Sequence, residues 1–206
     1  MFTKEERVLF IGDSITDCGR RAEPEELGDG YVRMIRDYLI CEAPADVPAV
    51  INKGIGGNRV TDLAERWEQD VLSERPTVLS VSIGINDVWR QLDSKGIDQI
   101  LPGKFEQVYR ELLDQSKGIR LILMEPTIIE EDPQSQGNEL LKPYVDIVRK
   151  LADEYDAVLV PTHQAFLKYI SADGEHKLTT DGVHMNSIGN TLMARTWIHS
   201  VRGAFA

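Results

Sequence analysis

The chain has 206 residues, 42% of them apolar and 28% charged, with 34 acidic against 23 basic side chains and a net charge of −11. These are the proportions of one ordinary globular domain over residues 1–206, which buries roughly 70% of the surface its unfolded chain exposes and needs no covalent or metal staple. The negative charge repels phosphate backbones and anionic lipid surfaces, which excludes nucleic acid as an expected partner, and no apolar run approaches the ~20 residues of a membrane-inserted span.

The chain opens on Met1-Phe2-Thr3-Lys4-Glu5-Glu6-Arg7 and runs directly into an apolar segment. No secretory apolar region fits there, so a cytoplasmic location is expected. Five short Val/Leu/Ile-rich runs follow in order: Arg7 to Ile11, Val47 to Asn52, Thr77 to Ile83, Arg120 to Met124 and Ala157 to Val160. Continuous rather than alternating apolar content suits parallel strands covered on both faces. Between them, Tyr31, Met34, Ile35, Tyr38 and Leu39 recur at helical spacing, as do Val60, Leu63, Ala64, Trp67 and Val71, then Phe105, Val108 and Leu112, and then Tyr144, Ile147, Val148, Leu151 and Tyr155. Ile188, Leu192, Trp197 and Ile198 mark a last helix. Alternation of strand and helix predicts a doubly wound α/β fold with a parallel sheet.

In such a sheet, ligands gather beyond the carboxyl ends of the strands, where the winding reverses. Three polar, glycine-containing turns occupy those positions: Gly12-Asp13-Ser14 after the first strand, Gly54-Ile55-Gly56-Gly57-Asn58 after the second and Gly84-Ile85-Asn86-Asp87 after the third. A flavodoxin-like order, with strands one and three adjacent, places all three around one crevice. Ser14 then sits where a strand passes into a segment beginning Ile15-Thr16-Asp17, and a helix N-terminus there favours developing negative charge. Asp13 and Ser14 are also ordinary helix caps. The tripeptide is not the GxSxG nucleophile elbow, since Thr stands at position 16, and Arg59 breaks the GxGxxG dinucleotide pattern.

Gly56-Gly57 can bring a backbone N–H close to a reaction intermediate, with Gly57 the expected donor, and Asn86 offers a side-chain amide. The plainer role for Asn86 is a cap on the next helix. Far downstream, Asp181-Gly182-Val183-His184 precedes the last helix; it reads either as a surface turn or as a carboxylate three residues from the imidazole it orients. A serine hydroxyl needs such a base and such an acceptor to act as a nucleophile at neutral pH. The co-occurrence of nucleophile, two oxyanion donors and an acid–base pair at one end of the expected sheet favours catalysis.

These blocks, Gly12-Asp13-Ser14, Asn52-Lys53-Gly54-Ile55-Gly56-Gly57-Asn58, Gly84-Ile85-Asn86-Asp87 and Asp181-Gly182-Val183-His184, resemble those of the GDSL esterases and lipases, the SGNH hydrolases, in the same order along the whole chain. The resemblance implies a three-layer, flavodoxin-like fold with five parallel strands. It also implies Ser14 as nucleophile and first oxyanion donor, Gly57 as second donor, Asn86 as third, His184 as general base and Asp181 as its orienter. Ile11 to Arg20 and Gly84 to Gln91 are most similar to the carbohydrate acetyl esterases of that family, acetylxylan esterases among them, although Thr180 stands where those proteins commonly carry Trp before the catalytic Asp.

The expected activity is therefore hydrolysis of short-chain, acetyl-type esters through an acyl-serine, with a small-molecule ester, such as an acetylated oligosaccharide, as substrate. A lipolytic esterase, lysophospholipase or thioesterase, and an idle binding module, are the competing readings. No cofactor or metal is expected: Cys18 and Cys41 have no CxxC spacing, and His163, His176, His184 and His199 form no ligand motif. Self-association is a further expectation from the family. Trp89, Tyr31 and Arg59 stand near the motifs with no role assigned; Trp89 suits either stacking on a sugar ring or packing of a helix.

Overall fold

The computed structural model describes residues 2–94, 96–172 and 175–204. Five strands, β1 (Arg7–Gly12), β2 (Ala49–Gly54), β3 (Val78–Ser82), β4 (Arg120–Met124) and β5 (Val158–Val160), form one sheet in the order β2-β1-β3-β4-β5. Every pairing is parallel. Strands one and three are thus neighbours, and the winding reverses between them. Gly12 pairs with Gly54 on one side and Ser82 on the other, so the ends of the three central strands come level.

The helices are α1 (Ser14–Asp17), α2 (Tyr31–Glu42), α3 (Val60–Trp67), α4 (Ile85–Asp93), α5 (Pro102–Gln115), α6 (Gln136–Glu154), α7 (Thr162–Ser171) and α8 (Ser187–Ala204). The crossover helices divide into two groups, α2 packing with α8 and α8 with α7 on one face, and α3 to α6 packing together on the other. Burial on both faces explains the unbroken apolar runs: every residue of β3, and all but the first of β1, is buried. Ser80 and the terminal Ser82 are the polar residues of β3, and Ser80 accepts a hydrogen bond from the buried Trp197 indole at 3.1 Å. Trp197 also packs against Phe10 at 5.4 Å, tying α8 to β1.

Local chemistry accounts for the departures from the periodicity. β2 begins two residues later than the apolar run, past Pro48, which cannot donate to a ladder, and continues to Gly54. The helix read through Val71 ends at Trp67 and passes into a π-helical turn over Glu68–Leu72. Ser135 caps α6 by accepting from the Asn138 N–H, so the helix starts well before Tyr144 and runs through Pro143. Helix α7 has no counterpart among the predicted elements, and the helix expected after Asn86, α4, already begins at Ile85, inside the third glycine motif, so that Asn86 lies within its first turn and its buried face carries the polar Asn86 and Asp87. Among the described residues no helix is long and apolar enough to cross a membrane.

Candidate active site

The first strand delivers Ser14. Gly12 lies so close to β3 that an added Cβ would sit 2.3 Å from the Ser82 carbonyl oxygen, which leaves no room for a side chain. Asp13 then caps α1, its carboxylate accepting the Ile15 N–H at 2.9 Å. The helix is a single turn of four residues, closed by Cys18 in the left-handed region, and is too short to supply a substantial macrodipole. Its contribution is an N-terminal Ser14 N–H without a hydrogen-bond partner among the described residues. The Ser14 hydroxyl takes no part in capping and faces His184 Nε2 at 2.9 Å.

The second loop folds over this turn. Ile55 N–H donates to the Gly12 carbonyl at 3.1 Å, and Gly56 N–H is taken by Asp17 at 3.3 Å. A Cβ added to Gly56 would lie 3.8 Å from that of Ser14. Gly57, at φ +82°, turns the chain so that its exposed N–H has no partner among the described residues. Of the two glycines, then, Gly57 alone keeps its donor unspent.

The third loop brings Asn86 into the first turn of α4, buried at 2% exposure, where its Nδ2 donates to the Asn58 carbonyl at 3.1 Å. One amide proton is spent on orienting the group and one is left over. The neighbouring Asp87 accepts the Val60 N–H with both oxygens, at 3.2 and 3.3 Å, and thereby fastens the start of α3 to α4. Burial pushes the Asp87 carboxyl up to about 7, against the pull of the Val60 N–H; it pushes Asp13 up to about 6, against the pull of the Ile15 N–H and His184. Arg66 ties the first two loops together, donating to the Gly12, Lys53 and Asn58 oxygens at 3.0, 2.8 and 2.8 Å while pairing with Asp70. Sequence reasoning passed over Arg66 because an Arg four residues before an Asp on a helix is the ordinary pattern of a surface pair.

The last member comes from the segment before α8. An isolated antiparallel bridge, Thr179 to Met185, closes a tight turn with Gly182 at φ +94°. Asp181 Oδ1 accepts the Val183 and His184 N–H groups at 3.0 and 2.8 Å, leaving Oδ2 to meet His184 Nδ1 at 2.7 Å. Burial raises the Asp181 carboxyl, but the His184 N–H and ring and the Val183 N–H outweigh it and hold the group down at about 2. An ionised Asp181 accepts from Nδ1–H, so Nε2 is left to accept the Ser14 hydroxyl proton.

The fold therefore brings Ser14, His184 and Asp181 into one hydrogen-bonded line and sets the loops of Gly57 and Asn86 beside it. The line has the geometry of an activated serine nucleophile, and the three free donors have the chemistry of an oxyanion site. The unassigned residues separate. Tyr31 is buried in the core, its hydroxyl 3.0 Å from that of Thr16. Arg59 spans to the Asp98 carbonyl at 2.8 Å. Trp89 is half-buried beside the site, edge-on to the His184 ring at 5.9 Å, with the Arg90 guanidinium over it. Thr180 donates through both N–H and hydroxyl to the His184 carbonyl. Among the described residues no group of His, Cys, Asp and Glu side chains is arranged to hold a metal ion.

Residues 10–192 match the model of the GDSL-like lipase/acylhydrolase family. An acetylxylan esterase of Geobacillus stearothermophilus is 37% identical over 95% of this chain and 94% of its own. The crystal structure of Axe2, an acetylxylan esterase from that organism, superposes with a TM-score of 0.88 at 36% identity, covering 97% of this chain and 95% of its own. A hydrolase, LAE5, from the metagenome of Lake Arreo, Spain, superposes with a TM-score of 0.91 at 30% identity over 98% of this chain and 97% of its own.

Proposed function

The chain belongs to the GDSL-like lipase/acylhydrolase family, and from that premise we propose that it is a serine esterase that removes acetyl groups from acetylated oligosaccharides, with Ser14 as its nucleophile. The observation that carries the reading is the unbroken line from Ser14 Oγ through the His184 ring to Asp181, at 2.9 and 2.7 Å. Acetyl as the acyl group and a sugar as the alcohol rest on the similarity to the acetylxylan esterase.

In the first half-reaction Ser14 Oγ bonds to the ester carbonyl carbon as its proton passes to His184 Nε2. Negative charge collects on the carbonyl oxygen, where the Ser14 and Gly57 N–H groups and the second Asn86 amide proton receive it. As the C–O bond to the alcohol breaks, His184 returns the proton to the departing oxygen, leaving acetyl-Ser14 and a free sugar hydroxyl. Water repeats the sequence on the acetyl carbon, releasing acetate and restoring Ser14. Asp181 holds the ring and stabilises its charged form throughout.

Two measurements test the proposal. A serine-directed fluorophosphonate at saturating dose leaves its adduct on Ser14 by peptide mass spectrometry, and an adduct elsewhere or none counts against the nucleophile. Comparing nitrophenyl acetate, octanoate and palmitate with an acetylated xylooligosaccharide, with Ser14→Ala as blank, tests the substrate: steep preference for acetyl supports it, and activity rising with chain length sinks it in favour of a lipolytic enzyme.

A further inference from the structure

Asp181 and His184 sit on a segment with no helix or strand, and their side chains are 49% and 38% exposed. Yet Nε2 must stay within hydrogen-bond reach of Ser14, the first residue of α1, at the end of the first strand. Leu178, Val183 and Met185 bury apolar side chains beneath the turn, but apolar contact is non-directional and does not fix the angle at which an imidazole points.

The directional hold comes from the loop after β4. Glu131 Oε1 accepts the N–H groups of Leu178 and Thr179 at 3.0 and 2.9 Å and also the Thr179 hydroxyl, while Oε2 lies 3.1 Å from the Leu178 N–H. Thr179 Oγ1 in turn accepts the Gly182 N–H at 3.2 Å, inside the turn between Asp181 and His184. Next to it the Glu130 N–H donates to the Gly182 carbonyl at 2.8 Å. The loop that offers these groups is itself fixed: buried Asn138 accepts the Ile129 N–H and donates to the Glu130 and Asp132 carbonyls at 3.0, 3.0 and 2.7 Å, and Ser135 Oγ donates to the Ile129 carbonyl at 2.7 Å. An ionised carboxylate is an acceptor only and matches the clustered donors of residues 178 and 179, with bonds stronger than a neutral acceptor would give.

We propose that Glu131 is a positioning residue for the reaction, acting through Thr179 and the Gly182 turn to hold His184 where it can return a proton to the departing alkoxide. This rests on the assignment of Ser14, His184 and Asp181 made above. The demand for alignment is greatest when the leaving oxygen is a poor anion, because a nitrophenolate departs without a proton and an alkoxide does not.

The test is therefore a ratio: kcat/KM for ethyl acetate divided by kcat/KM for 4-nitrophenyl acetate, measured for the wild type, Glu131→Ala and Glu131→Gln. A loss of folded enzyme lowers both values equally and leaves the ratio alone. Glu131→Ala is expected to lower the ratio about tenfold. Glu131→Gln keeps one acceptor oxygen and is expected to lower the ratio less, in the same direction; it carries the test if the alanine variant does not fold. Ratios within twofold of wild type in every variant that folds, whatever their thermal midpoints, overturn the proposal. Ser14→Ala separates the two levels: activity surviving in that variant refutes the nucleophile itself, whereas an inert Ser14→Ala beside unchanged Glu131 ratios refutes the positioning role alone.

Discussion

Replacing Asp181 by Asn tests the acid–base pair by changing which ring nitrogen carries the proton. Oδ1 of Asp181 is engaged by two backbone donors, Val183 N–H at 3.0 Å and His184 N–H at 2.8 Å. The Asn carbonyl must take that place, which turns the NH2 toward His184 Nδ1. Nδ1 then becomes an acceptor, the ring proton moves to Nε2, and Nε2–H can only donate to the Ser14 oxygen and cannot take its proton. In a buried serine-protease triad this exchange costs roughly 10⁴ in kcat. Here the two side chains are 49% and 38% exposed, so water competes for Nδ1, and the expected loss is about 10³-fold. Asp181→Ala differs in an instructive way. It leaves Nδ1 to a water, which accepts its proton and preserves the productive tautomer, but it deprives two N–H groups of their acceptor. The alanine variant should therefore turn over faster than the asparagine variant and melt at a lower temperature. Steady-state kcat on nitrophenyl acetate and thermal midpoints from circular dichroism read both effects. An asparagine variant within tenfold of wild type, or slower turnover by the alanine variant than by the asparagine variant, would refute the tautomer argument.

Asn86→Ala removes a pre-oriented donor and should lower kcat by about 100- to 1000-fold with little change in KM; a loss under tenfold would remove Asn86 from the oxyanion site. Gly57→Ala adds a Cβ that meets nothing within 4 Å, yet φ there is +82°, so the variant should fold with a cost of roughly 1–2 kcal/mol in denaturant titration and a reduced kcat from a shifted N–H. Gly12→Ala, by contrast, drives a Cβ to 2.3 Å from the Ser82 carbonyl oxygen and should not yield soluble folded protein; a stable variant would show that β1 and β3 can separate. For Asp87 the sign follows from a carboxyl raised from 3.8 to about 7: its stabilising contribution is complete below the unfolded value and is lost as pH rises through the folded one. Asp87→Asn cannot lose it, so the thermal midpoint of the variant relative to wild type should improve between pH 5 and pH 8. An unchanged difference would mean that Asp87 is already ionised in the fold across that range.

Much of the architecture could be read from the strands, because burial on both faces writes itself as uninterrupted Val, Leu and Ile. The helices that were read short or left unmarked by an apolar repeat are those whose buried faces are polar or whose periodicity is broken. Helix α4 presents Asn86 and Asp87 inward, and α6 carries Pro143 in mid-course, so neither follows the apolar repeat over its full length. The candidate site was legible where chemistry and glycine coincide, as at Ser14, Gly57 and Asn86. It was illegible in its supports. Arg66, Asp87 and Glu131 act through contacts with residues distant in sequence, and a charged side chain that binds a remote carbonyl or amide has the same local signature as one bathed in water. For the same reason, the choice of Gly57 over Gly56 has a structural basis only in the Asp17 carboxylate that occupies the Gly56 N–H.

The supports also divide the site in two. Ser14, Gly57 and Asn86 follow three adjacent strands, and each loop is fastened to the next: Asp17 to Gly56, Asn86 to Asn58, Asp87 to Val60, with Arg66 spanning the first two. Most of those contacts lie close to the sheet at its switch point. The acid–base half arrives after the last strand, on a turn with exposed Asp181 and His184 side chains and a hold that runs through Glu131. Oxyanion stabilisation requires donors that do not reorganise as charge develops. A base that must collect a proton from Ser14 and return it to a different oxygen gains from small movement about a fixed mean position. The fold thus places the donors of the oxyanion site on its central strand ends, where displacement would be most costly to the reaction, and leaves the imidazole on a turn aligned by Glu131 together with the Glu130 N–H and the Thr180 contacts to the His184 carbonyl.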